Sequence, residues 1–249
     1  MFQQSLTEID KMFPNNLYGK STIEEFMERR QIFLDIFHED IKPLIDICYK
    51  KPFKDIFKYS KAEYLFWDPN HPQIIEFRIR PKNNYYEALQ KAIPQPDNPQ
   101  GPHATGIALS ISIFRRMKST KVIFPPYVII EFKIWGHEER DGFILFFKNY
   151  RRPIELLLGR LGLNLFTSCC FNNLDKYKGG DIIKKLDLYS SNKKDDEASF
   201  SIEKSFNRNS ESEKVIKLFN NLLILYHCCF GYCKNNKEMD RVLNFSDKL

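Results

Sequence analysis

At 249 residues the chain is long enough to bury a substantial core, and its ordinary apolar content with abundant Phe marks a globular protein. No apolar run approaches the ~18 residues a membrane span requires, and the N-terminus has no basic-then-apolar leader pattern, so a soluble, cytoplasmic protein is expected. Lys and Arg number 38 against 32 Asp and Glu, for a formal net charge of +6. The excess is local: Arg115 to Arg160 holds ten Lys or Arg against five acids, a distribution that favours a polyanion over a lipid surface.

Residues 1–20 carry little pattern and are expected to form an arm. Ser21 and Glu24 have the spacing of a capping box. Behind them Ile23, Phe26, Met27, Phe33, Leu34, Phe37, Ile41, Leu44, Ile45 and Cys48 recur at intervals of three and four. That spacing predicts an amphipathic helix over 22–50, interrupted near Asp40 because Pro43 cannot donate to the preceding turn. A strand pair follows at 62–80, with Tyr64–Trp67 and Ile74–Arg80 joined by Asp68-Pro69-Asn70. Residues 85–92 suit a short helix, and the proline-rich stretch 94–104 suits a loop.

The stretch from His103 to Arg160 organises the chain. Ile107, Leu109, Ile111 and Ile113 alternate with Ala108, Ser110, Ser112 and Phe114. Val128, Ile130, Phe132 and Ile134 alternate with Ile129, Glu131, Lys133 and Trp135. Strand side chains point to opposite faces in turn, so both runs read as strands with one face on a core. A third run, Phe143–Lys148, is apolar at both parities, and Gly136–Gly142 suits a charged hairpin tip. An antiparallel meander at 105–149 is therefore expected. Beyond it, 153–163 and 181–188 suit either helix or strand, and 190–212 reads as a long polar loop. Ser210 and Glu213 form a second capping box, opening a helix at 212–231. The whole is expected to be one α+β domain spanning 1–249, an antiparallel or mixed sheet flanked by N- and C-terminal helices.

Cys48, Cys169, Cys170, Cys228, Cys229 and Cys233 include two adjacent pairs, which suit neither a secreted disulfide framework nor a zinc site. Reduced, buried cysteines are expected.

Two strands carry nearly the same legend, Ile74-Ile75-Glu76-Phe77-Arg78 and Ile129-Ile130-Glu131-Phe132-Lys133. The second resembles the catalytic E-x-K strand of the PD-(D/E)xK nucleases. That resemblance implies Mg²⁺ held by Glu131 with Glu76 as the second carboxylate, and Lys133 positioning the attacking water. No upstream aspartate matches the family pattern, so the expected arrangement is an open strand face on which Glu131 and Lys133 are surface residues. A longer stretch, Val122–Ile130, Gly142–Phe147, Ile154–Gly159 and the late pair Leu225-Tyr226, resembles the N-terminal DNA-recognition domain of McrB-type modification-dependent restriction enzymes. Pro126-Tyr127 stands where that family has Pro-Trp. The resemblance implies binding of duplex DNA in a restriction or defence system, with a modified base read between aromatic side chains.

Independently, basic residues beside aromatic ones suit phosphates and bases. The candidate contacts are Arg78, Arg80, Arg115, Arg116, Lys118, Lys121, Tyr127, Lys133, Trp135, Arg151 and Arg152. DNA is the expected partner, with a further subunit or domain of a restriction complex beside it, and no cofactor is expected unless the Mg²⁺ nuclease alternative holds. A protein-interaction module with a basic rim is the third class.

Overall fold

The computed structural model describes residues 2, 6–7, 31–32, 34–48, 57–59, 74–81, 107–114, 117–118, 121–122, 127–159, 161–168, 181–192, 199–207 and 209–234. Its centre is an antiparallel sheet of six strands: β1 (Phe57–Tyr59), β2 (Ile74–Pro81), β3 (Ile107–Phe114), β6 (Tyr127–Trp135), β8 (Ser199–Phe206) and β7 (Asn164–Ser168), in that spatial order. Between β3 and β6 lies a small hairpin of β4 (Met117–Lys118) and β5 (Lys121–Val122). The helices are α1 (Lys42–Cys48), preceded by a π-helical turn at Phe37–Ile41, then α2 (His137–Asn149), α3 (Arg151–Leu158), α4 (Ile182–Asn192) and α5 (Ser212–Lys234). The chain is thus α+β. Among the described residues, no helix is long and apolar enough to cross a membrane.

The alternation in the sequence divides the sheet into two faces. Leu109, Ile111 and Ile113 on β3, with Val128, Ile130, Phe132 and Ile134 on β6, are all fully buried. So are Leu165, Phe200, Ile202 and Phe206 on β7 and β8. This apolar face lies under the helices: α5 crosses β3 and β6, α2 covers β6 and β8, and α4 packs on β7. Phe132 is the pivot, with ring centroids 5.8 Å from Phe143 of α2 and 6.4 Å from Tyr226 of α5. Phe37 of the π turn stacks on Phe77 of β2 at 5.8 Å. The interruption expected near Asp40 takes the form of that π turn, in which the Lys42 amide donates to the Phe37 carbonyl. One extra residue in the turn accommodates Pro43, which has no amide to give.

Three expectations need correction. The run 143–148 is not a third strand: Gly136–Asn149 opens and forms α2, so the expected meander at 105–149 is two long strands, a small hairpin and a helix. The acids Glu138, Glu139 and Asp141 sit at the helix N-terminus, where the macrodipole favours negative charge. Phe143, Ile144, Phe146 and Phe147 are buried while Leu145 is exposed, a helical stripe that period-two reading cannot distinguish in a short apolar run. Residues 190–212 are not a loop, since α4 extends to Asn192 and β8 occupies 199–206. The Ser210 hydroxyl serves a turn with Asn207, accepting from its amide at 3.0 Å, and the helix starts beyond it at Ser212. Of the undecided stretches, 153–158 falls in α3 and 182–188 in α4.

Cys48 and Cys229 are buried thiols outside any disulfide, as expected for reduced cysteines. The capping box at Ser21, the strand at 64–67, the helix at 85–92, the loop at 94–104, Arg115, Arg116, Cys169 and Cys170 lie outside the described residues.

Candidate functional site

The other side of the sheet is built from the polar parities of the same strands. Register pairs Arg78 with Ser110, Ser110 with Glu131, Glu131 with Glu203, and Glu203 with Asn164. One row of hydrogen-bonding residues therefore crosses five strands. The row beside it pairs Glu76 with Ser112 and Ser112 with Ile129. Lys133 pairs with Ala108 on one side and Ser201 on the other.

Glu131 is the centre of this arrangement and is only 4% exposed. Its Oε1 accepts from the Ser110 hydroxyl at 3.3 Å, from the Ser112 hydroxyl at 3.1 Å, and from Lys133 Nζ at 2.7 Å. The hydroxyls reach it because β3 places two serines on the same face, one directly opposite and one a pleat away. Lys133 reaches it because residues two apart on a strand share a face. The expectation of an open surface is therefore corrected: Ser110, Ser112 and Glu131 are buried, while Lys133, Tyr127 and Glu203 are half-buried. Burial is affordable for this carboxylate because cationic and hydroxyl donors replace water around it.

Across from Glu131 stands Glu203, within the stretch 190–212 expected to be a loop. Its carboxyl is pushed up to about 7, first by burial, then by the negative charge of Glu131 opposite, with Lys133 and the Ser201 hydroxyl opposing. The signal that could have found it is the alternation Phe200, Ile202 against Ser201, Glu203, Ser205, broken in its apolar phase by Lys204. That lysine sits among the apolar positions and donates its ammonium to the Leu161 carbonyl.

Of the residues expected to act together, the structure unites some and separates others. Glu76 is not beside Glu131: β3 lies between their strands, and two strand spacings amount to about 10 Å. The carboxylate facing Glu131 is Glu203. Among the described residues no group of three or more His, Cys, Asp or Glu could hold a metal ion, and the donors on Glu131 are the protein's own. Arg78 and Arg80 lie on β2, Tyr127, Lys133 and Trp135 on β6, and Lys118 pairs with Lys121 across the β4–β5 hairpin. Arg151 and Arg152 open α3, which packs on α4 and α5 and so belongs to the helical layer over the opposite face. Arg151 is already engaged, ion-paired to Asp187 of α4 and lying 5.9 Å above the Phe147 ring.

The chain matches no family model, no curated protein and no solved structure.

Proposed function

We propose that this chain is a nucleic-acid-binding module that meets duplex DNA with the polar side of its sheet and the β4–β5 hairpin, in a restriction or defence setting. The observation that supports it is the division of the sheet. One face is filled by aliphatic and aromatic side chains under helices, while the register on the other aligns Arg78, Ser110, Glu131, Glu203 and Asn164 across five strands. The centre of the polar face, Ser110, Ser112 and Glu131, is buried, so the contacts proposed for DNA are the cations at its margins. Arg78 and Arg80 on β2 and the Lys118–Lys121 pair supply cations for phosphates, Lys133 on β6 being ion-paired with Glu131, and the half-buried Tyr127 of β6 offers a ring. The resemblance of Val122–Ile130, Gly142–Phe147 and Ile154–Gly159 to the McrB-type recognition domain is consistent with a modified base as the feature read.

A Mg²⁺-dependent nuclease fits this geometry less well. The Oε1 of Glu131 already accepts three donors, and Glu76 stands two strands away. The test is fluorescence anisotropy of labelled modified and unmodified duplexes at low salt. Binding is expected, with Arg78→Glu/Arg80→Glu weakening it whatever the sequence and Arg152→Glu leaving it unchanged. Equal weakening by both changes would contradict the assignment of the sheet face.

A further inference from the structure

We propose that Glu203, the register partner of Glu131 across β6 and β8, carries a proton that gates polyanion binding on the sheet face, a regulation that rests on the nucleic-acid reading above. The two carboxyl groups are direct register partners on adjacent antiparallel strands, where opposed side chains have Cβ atoms about 5 Å apart. Two like charges at that separation beside a buried position disfavour double ionisation. The donors are divided unequally. Ser110, Ser112 and Lys133 all serve Glu131, whereas Glu203 has the Ser201 hydroxyl and the more distant influence of Lys133. The proton therefore resides on Glu203, whose carboxyl is pushed up to about 7 by burial and by Glu131.

Each strand adjoining the pair contributes differently to its surroundings. From β6 the charged neighbours are Glu131 and Lys133. From β7 the register partner is Asn164, which carries no charge, and β3 contributes the neutral Ser110 and Ser112, with Arg78 of β2 next in the row. Lys204, on β8 itself, serves the Leu161 carbonyl on the other face. When Glu203 gives its proton to water, one negative charge appears beside Glu131 and Lys133, opposing the approach of phosphate to this face. When it is reprotonated, that charge is removed.

The experiment pairs a direct titration with a binding measurement on the full chain. Carbon-13 NMR of labelled Glu carboxyls, with Glu203→Gln identifying the resonance, is expected to show a midpoint near 7. Duplex DNA at constant ionic strength is expected to bind the wild type roughly threefold tighter at pH 6 than at pH 8, the order of a single charge a few ångströms from a phosphate in water. Glu203→Gln is expected to bind at pH 8 as the wild type does at pH 6, with the pH difference gone. A midpoint between 4 and 5, or DNA binding by the wild type that does not change between the two pH values, overturns the switch and leaves the nucleic-acid reading standing. No DNA retained at either pH, with the midpoint near 7, overturns the nucleic-acid reading and the gate with it.

Discussion

Glu203 makes the protein's own stability depend on pH, apart from any ligand. Its carboxyl rises from 4.5 to about 7 on folding, so the folded state binds the proton more tightly than the unfolded chain. The stabilisation is complete below about pH 4.5 and is lost as the pH rises through about 7. Its ceiling is on the order of 3 kcal/mol. Chemical denaturation is expected to show Glu203→Gln matching the wild type near pH 4 and exceeding its stability at pH 8. A variant equally destabilised at both pH values would refute this. Glu131 has the opposite role, as the shared acceptor of two buried hydroxyls. Glu131→Ala strands Ser110 and Ser112 and is expected to cost about 1–3 kcal/mol, measured by the same method. Glu131→Gln should lower the midpoint of Glu203 without returning it to 4.5, because burial is the larger cause. Little of this was legible beforehand. The E-x-K spacing marked Glu131 and Lys133, but the serines were visible only as the polar half of an alternation. Nothing in a one-dimensional pattern states that β8 pairs with β6.

At the scale of elements, legibility followed the cleanness of the period. β3 and β6 emerge from the sequence because their apolar and polar residues separate strictly by parity. β8 does not, because Lys204 occupies an apolar-phase position and its reason for being there, the Leu161 carbonyl, lies 43 residues away in the chain. α2 does not, because Gly142–Phe147 is apolar at either period and only burial beneath α5 and β6 decides between them. The helix begins at Gly136, whose φ of +102° and ψ of 142° belong to a region open to glycine and closed to other residues. A Cβ there would also stand 2.5 Å from Glu139 Oε2, although that carboxyl can swing aside. Gly136→Ala is therefore expected to destabilise the fold by about 1–3 kcal/mol through backbone strain. An unchanged denaturation midpoint would show that the turn from β6 into α2 tolerates another conformation.

For the whole molecule, the sheet is a partition between a dry side under the helices and a polar side built around Glu131 and Glu203. The dry side depends on Phe132, fully buried and in ring contact with both α2 and α5. Phe132→Ala is expected to cost about 3–5 kcal/mol, since the rings around it cannot collapse into the vacated space. Such a loss would appear as a fall in denaturation midpoint shared by all spectroscopic probes. The nucleic-acid contact proposed for the polar side depends on charge, and its most direct test is the slope of log affinity for duplex DNA against log salt concentration. With Arg78, Arg80, Lys118 and Lys121 each neutralising a phosphate, a slope of about −3 to −4 is expected, falling to about −2 in the Arg78→Glu/Arg80→Glu variant. A slope near zero in the wild type, or no retention of DNA at low salt, would contradict the assignment of this face to nucleic acid.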